Sequence, residues 1–257
     1  YILCFTNKGN VHWIKTYQLP EGSRQAKGKA IVNLLDLENG EVVTTFIPIK
    51  KFDEHHYLIM ATKKGTVKKT NIVAYSHPRK GGIRAITLDE GDKLMDVKLT
   101  DGKQEIILAT AQGQAVRFEE GDVRPTGRSS QGVRGITLKN DDEVVGMVVA
   151  HKDKTLLTLT KNGYGKRTPI EDYRLISRGG SGVINIQTTD RNGPVAAIAC
   201  VDESDEIMSI TKSGITIRIP AADISIIGRN TQGVRIMRLE EKDSVVSLAR
   251  VEKESIG

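Results

Sequence analysis

Aromatic residues are scarce in this chain, at 4% of 257 positions with a single Trp. A base-stacking platform of the kind built into RNA-recognition sheets needs clustered rings, so that mode of binding is not expected. There are only two cysteines: Cys4 and Cys200 lie in apolar, strand-like runs with no partner spacing. They read as buried, reduced thiols of a cytosolic protein. No apolar run approaches the roughly 20 residues that span a bilayer. Tyr1 begins inside a strand-like run and no signal-peptide pattern precedes it, so the chain is expected to be a cytoplasmic fragment. The five histidines, His12, His55, His56, His77 and His151, share no spacing with cysteines or carboxylates, which argues against a metal site. Asp141-Asp142-Glu143 lacks calcium-loop spacing, and no Gly-x-Ser-x-Gly elbow or catalytic Ser or Cys pattern occurs. Gly22 to Ala30 looks like a phosphate-binding loop at first sight. Its glycines are separated by five residues where the motif needs four, and Ala30 stands where Ser or Thr is required. By elimination the chain reads as a binding module without catalytic residues of its own.

Repeats organise what is present. The Gly- and Arg-rich stretch Gly127 to Leu138 has close copies in Gly82 to Leu88 and Gly233 to Leu239, and diverged copies in Gly180 to Ile186 and Gly28 to Leu34. A second marker, Thr-x-x-Gly, ends at Gly9, Gly65, Gly113, Gly163 and Gly214, with spacings of 56, 48, 50 and 51 residues. Each such Gly joins an apolar run to a basic one, as a tight hairpin does, because Gly adopts positive φ without steric cost. A third apolar run (from Val42, Leu94, Val144, Val195 and Val245) follows an acidic turn, and no segment has a sustained helical period. The expected fold is all-β, a β-propeller-like disc of five to six four-stranded blades. Its repeats are placed near 1–41, 42–93, 94–143, 144–194 and 195–244, with a last strand at 245–251 that could pair with the chain start.

Charge follows the same period. The net charge is +6, from 38 Lys and Arg against 32 Asp and Glu. The five hairpin-to-loop segments (6–30, 63–84, 112–135, 161–182 and 212–235) hold 25 basic and 7 acidic residues, a net +18; the remainder holds 13 and 25, a net −12. Basic residues recurring in register suit a long polyanion. Contacts to phosphates release counterions and need no base reading, and there is no recognition helix for a major groove.

Two runs carry a family resemblance: Leu3-Cys-Phe-Thr-Asn-Lys-Gly-Asn-Val-His-Trp-Ile-Lys-Thr-Tyr-Gln-Leu-Pro20 and Ala26 to Leu35. Together with the later Thr-x-x-Gly and Gly-Val-Arg-x-Ile repeats, they resemble the C-terminal domain of the DNA gyrase A subunit over essentially the whole chain. The topoisomerase IV counterpart ranks second, and a protein-interaction propeller is the rival from another class. The resemblance implies a β-pinwheel that exchanges strands between blades and wraps duplex DNA on a basic rim. It implies, as partners, the remainder of the gyrase A subunit, together with the B subunit. ATP and Mg would be used elsewhere in that holoenzyme, with no cofactor in this domain. The isolated domain is expected to be monomeric. The family's Gln-Arg-Arg-Gly-Gly-x-Gly box has no intact copy here; Arg178-Gly-Gly-Ser-Gly182 matches only its second half. The rim residues expected to bind DNA are Arg24, Lys27 and Lys29; Lys68, Lys69, Arg79, Lys80 and Arg84; Arg128 and Arg134; Lys166, Arg167 and Arg178; and Arg229 and Arg235.

Overall fold

The computed structural model describes residues 1–22, 30 and 33–251. Among them are β-strands and short 3-10 turns but no α-helix. In chain order the strands are β1 (Ile2–Thr6), β2 (Asn10–Ile14), β3 (Val43–Pro48), β4 (Tyr57–Thr62), β5 (Thr66–Asn71), β6 (Ile83–Arg84) and β7 (Leu94–Thr100). They continue as β8 (Glu105–Thr110), β9 (Gln114–Glu119), β10 (Val133–Arg134), β11 (Val144–Ala150), β12 (Thr155–Thr160) and β13 (Tyr164–Pro169). The last are β14 (Val183–Ile184), β15 (Val195–Val201), β16 (Glu206–Thr211), β17 (Thr216–Pro220), β18 (Val234–Arg235) and β19 (Val245–Val251).

Each Thr-x-x-Gly marker is a hairpin turn, and its Thr has a distinct task. The ladder to the third strand shifts register at Thr6, Thr62, Thr160 and Thr211. The Thr hydroxyls of Thr6, Thr62, Thr110 and Thr211 accept the N–H four residues on, at 3.1 to 3.4 Å. The side chain thus satisfies a backbone donor that the tight turn leaves without a ladder partner. The acidic turns complete the same joint. Asp92 Oδ1 accepts Lys64 N at 3.0 Å, Asp142 Oδ1 accepts Gln112 N at 2.9 Å, and Asp243 Oδ1 accepts Ser213 N at 3.0 Å.

The chain forms two compact units, Tyr1–Lys103 with Val123–Arg134, and Gln104–Asp122 with the residues from Gly135 onward. The first contains the sheets β3-β1-β2-β6 and β10-β5-β4-β7. The second contains β11-β8-β9-β14, β15-β12-β13-β18 and the three-stranded β17-β16-β19. Two expectations are corrected by this pairing. The third apolar run closes the sheet of the hairpin before it, as β3 does on β1 and β19 on β16. The expected repeat boundaries therefore cut every sheet between its second and third strands, and the last strand belongs to its own hairpin rather than to the chain start. The physical reason is local: a strand that follows a hairpin returns antiparallel to the first strand with only a short loop to close. The fourth strand comes from the next repeat, so the fifth sheet has three strands where four were expected.

The first hairpin strands are covered on both faces. β4, β8 and β12 are buried at every position after the first, which is why they read as continuous apolar runs without alternation. In the first unit Leu3, Phe5, Leu58, Met60, Ile72 and Tyr75 share one core; in the second, Ile107, Ala109, Leu156, Ile170 and Tyr173 share another. Each fully buried Leu, Ile or Phe contributes about 1.5–3 kcal/mol. Cys4 and Cys200 are free and buried, and burial pushes the Cys4 thiol up to about 11.

Candidate nucleic-acid interface

The two glycine markers, some 20 residues apart within a repeat, meet across neighbouring repeats. Gly82, Gly132, Gly182 and Gly233 open the two-residue strands with φ of +75°, +101°, +74° and +74°. A Cβ on them would stand 2.9, 2.5, 2.3 and 2.6 Å from the carbonyl oxygens of Val11, Val67, Ala115 and Gly165 in the preceding repeat. Both the backbone conformation and the close approach therefore demand glycine. In return the hairpin carbonyls accept from the exchanged strand: Gly9 O from Ala85 N at 2.8 Å, Gly113 O from Asn185 N at 2.8 Å and Gly163 O from Ile236 N at 2.9 Å.

These joints fix where the arginines emerge. Arg84, Arg134 and Arg235 each stand two residues after such a glycine, opposite Asn10, Thr66 and Tyr164, and are exposed. In the remaining copy this position is Ile184. Successive loops are tied together within each unit. Thr87 N donates to Ser130 O at 3.1 Å in the first unit; Thr137 N donates to Gly180 O and Gln187 N to Thr231 O, both at 2.9 Å, in the second. The half-box segment Arg178 to Gly182 is held this way, with Thr137 Oγ1 also donating to Gly179 O at 2.6 Å and Arg178 Nε to Asp122 O at 2.9 Å.

The expected rim residues divide into three groups. Arg24, Lys27 and Lys29 lie outside the described residues. Arg79, Lys80, Arg84, Arg134 and Arg235 are exposed, while Arg128, Arg178 and Arg229 are half-buried. Arg229 lies over the Tyr173 ring, 5.9 Å from its centroid, and donates to Ile184 O at 2.8 Å. Lys68, Lys69, Lys166 and Arg167 are 1%, 4%, 0% and 3% exposed, and are removed from the set of surface contacts. They were placed on the rim because β5 and β13 carry dense positive charge, but both strands are inner strands covered on both faces.

These buried cations hold the loops that carry the rim. Lys68 Nζ donates to Ala85 O at 2.6 Å and to Arg128 O. Lys166 Nζ donates to Gly228 O at 2.6 Å, to Arg229 O and to Thr231 Oγ1 at 3.2 Å. Burial, with Arg128 nearby, pushes Lys68 down to about 7, and burial with Arg229 nearby pushes Lys166 down to about 8. One residue further along the strand, the side chain staples the 3-10 turn of the next repeat. Trp13 Nε1 donates to Tyr75 O at 2.9 Å, Arg117 Nη1 to Ile170 O and Tyr173 O at 2.9 Å, and Arg167 Nε to Ile224 O at 2.8 Å. A buried cation or indole at this register closes a turn whose carbonyls would otherwise be unpaired.

Sequence reasoning missed four exposed arginines. Arg124 and Arg174 follow the 3-10 turns at equivalent positions, a register signal that was available. Arg191 and Arg238 lie in the turns counted with the acidic remainder. Among the described residues no three His, Cys, Asp or Glu side chains are grouped to hold a metal ion, and no helix is long and apolar enough to cross a membrane.

Comparison with known proteins can now be set beside this geometry. The family model for the DNA gyrase C-terminal domain, beta-propeller, matches residues 1–50, 56–101, 104–151, 154–202 and 205–252, one match for each hairpin and its third strand. The chain belongs to this family. The DNA gyrase A subunit of Halalkalibacterium halodurans is 55% identical over 253 residues, covering 98% of the chain and 30% of that protein. Its counterparts from Klebsiella oxytoca and Escherichia coli are 48% and 47% identical, with 97% and 98% of the chain covered and 28% and 29% of the relative. The chain thus spans under a third of the length of these relatives. Among solved structures, the C-terminal domain of DNA topoisomerase IV aligns with a TM-score of 0.90 at 30% identity, covering 98% of the chain and 79% of that domain. A DNA gyrase A C-terminal domain aligns at 0.85 and 26% identity, covering 97% and 82%. The family is the one that the first 35 residues resemble, and the all-β, propeller-type architecture is that of the family.

Proposed function

We propose that this chain is the DNA-binding and DNA-wrapping part of a gyrase A subunit, contributing no catalytic residue itself. One observation carries the reading. The same loop, in the same register of successive sheets, presents Arg84, Arg134 and Arg235 to solvent on glycine joints whose geometry cannot drift. Arg128, Arg178 and Arg229 precede these joints, and Arg79 and Lys80 extend the first. Forked guanidinium groups suit phosphate oxygens, and loops without base-reading elements suit binding that is indifferent to sequence but favours DNA that bends easily. In the holoenzyme the rest of the A subunit, with the B subunit, would supply strand passage, ATP hydrolysis and its Mg ion, in the cytoplasm and on the chromosome.

The test is plasmid topology. Relaxed circular DNA is religated with the 257-residue chain bound, and linking number is measured beside a binding titration at increasing salt. Wrapping changes linking number; tight, salt-sensitive binding with linking number unchanged refutes wrapping and retains binding. Absence of binding at about 50 mM salt, where phosphate contacts are favoured, refutes both.

A further inference from the structure

Tyr164 is the only aromatic residue at the position after a hairpin glycine; the other repeats have Asn10, Thr66, Gln114 and Ile215 there. Its side chain is buried, yet two guanidinium groups gather on it from outside. Arg191 lies 4.9 Å and Arg235 5.3 Å from the ring centroid. Arg235 also donates to the Tyr164 hydroxyl, from Nε at 3.2 Å and from Nη2 at 2.7 Å. Arg191 first and Arg235 second hold the phenol below its usual range. The ring face and hydroxyl thus bring two like charges together, an arrangement stabilised by cation–π attraction and opposed by mutual repulsion.

Among the described residues neither arginine is ion-paired with a carboxylate. Both line a cavity of about 410 Å³ together with Arg238, and Glu240 and Asp243 are also on its wall. Asp243 is committed elsewhere, accepting from Ser213 Oγ at 2.6 Å and from the backbone N–H groups of Ser213 and Ser244. Three guanidinium groups therefore face one carboxylate, that of Glu240, which is free to turn outward from an exposed turn. An oxyanion seated between Arg191 and Arg235 would relieve their repulsion and meet forked donors on two sides.

We propose that this cavity is a phosphate-binding pocket, with Arg191 and Arg235 as its ligands and Tyr164 as the support that pre-positions both. The preferred occupant is a backbone phosphate of bound duplex DNA, which rests on the function proposed above; a free phosphate ion or monoester shares the same chemistry. No repeat with Asn, Thr, Gln or Ile in place of Tyr164 can build it, so it is a single special station and not one of a series.

The experiment uses the 257-residue chain with R191A, R191K, Y164F and, at a separate station, R84A. Duplex DNA binding is titrated across salt, and thermal unfolding is followed with and without inorganic phosphate. R191A is expected to weaken DNA binding about tenfold at low salt and to lower the log–log salt slope by about 0.9. R191K keeps the slope without restoring the affinity, because the charge remains and the fork is lost. Y164F retains the ring and releases Arg235, giving an intermediate loss. If DNA binding is unchanged in R191A while phosphate protects the wild type and not R191A, the pocket stands and its occupant is a free phosphate. If R84A weakens DNA binding while R191A alters neither DNA nor phosphate binding, the pocket is overturned and the wider function survives. Phosphate protection that depends on Arg191, in a chain that binds no DNA, overturns the function and leaves the pocket.

Discussion

Replacement of Lys68 by Met tests whether a residue that DNA cannot reach controls DNA binding. Met preserves the aliphatic stem in its buried channel and deletes the ammonium, so Arg128 O loses the donor that pins its loop. Ala85 O keeps the Tyr75 hydroxyl at 3.3 Å. Removing a donor costs about 1–3 kcal/mol for the carbonyl left behind, while removing a buried charge returns a desolvation cost of similar size. The two offset, and stability should change by less than ~2 kcal/mol. DNA binding should change much more. An Arg128–phosphate contact is a charge-assisted bond of about 1.5–3 kcal/mol, so its loss weakens binding about 10- to 100-fold. If Lys68 acts through Arg128, K68M and R128A each lower the salt slope by about 0.9, and K68M/R128A is no weaker than either single variant. Fluorescence anisotropy with a labelled duplex at several salt concentrations measures all four proteins. Additive losses in the double variant, or an unchanged affinity and slope in K68M, would refute the clamp.

Three further outcomes are expected. Lys68 and Lys166 titrate near 7 and near 8 in the folded chain against 10.5 for an ordinary lysine; the unfolded chain binds more protons across that window, so stability should rise with pH from about 7 to 10.5, and urea midpoints of K68M/K166M should be flatter over the same range. Gly132→Ala combines φ of +101° with a Cβ 2.5 Å from Val67 O, whereas Gly127→Ala meets nothing within 4 Å at ordinary φ; the first should cost about 1–3 kcal/mol or more and the second under ~0.5 kcal/mol, read from denaturant unfolding. Asp243 is held near 2, first by the Ser213 hydroxyl; its contribution is complete above 3.8 and lost as pH falls through about 2, so D243N should lose less stability than wild type between pH 5 and pH 2.5 by thermal unfolding.

The architecture was legible because its markers are backbone necessities. A Thr-x-x-Gly turn every 50 residues or so requires a hairpin, and the six-residue step from Gly to a branched apolar residue marks the exchanged strand. What could not be read was which repeat each strand serves. Periodicity fixes a strand's faces but not its partner, so the Val144 run was assigned to the following sheet although β11 pairs with β8. The charge split located the loops correctly and misjudged depth. Lys166 and Arg178 both count as positive, yet one is fully buried and the other half-exposed, because β13 lies between two covering layers that belong to other parts of the chain. Arg191 was missed for the opposite reason: it sits in an otherwise acidic-looking turn, Asp190-Arg-Asn-Gly193, and acquires meaning only beside Tyr164.

Strand exchange has a mechanical consequence for the proposed wrapping. Arg84, Arg134 and Arg235 belong in sequence to one repeat and are positioned by the hairpin of the one before, through a glycine that has no spare room. The next loop is then tied to the last by Thr87, Thr137 or Gln187. Within a unit, a loop cannot yield to relieve strain in bent DNA without breaking a joint that also closes a sheet. Smoothly bending a duplex of 20–30 bp by 40–90° costs roughly 1–6 kcal/mol, which stationary contacts can supply and mobile ones cannot, since ordering a mobile loop consumes part of each contact's energy. The buried lysines fit this demand, for they remove loop freedom before DNA arrives. The stations are nevertheless unequal. Val116 stands where Lys68 and Lys166 stand in their repeats, and there the half-box loop is held by Thr137 and by Arg178 itself. An arginine that also secures its own loop must give up a hydrogen bond to reach a phosphate fully. Arg178 should therefore contribute less to DNA affinity than Arg128, and comparison of R178A with R128A in the same titration decides whether loop clamping or charge alone sets the strength of a station.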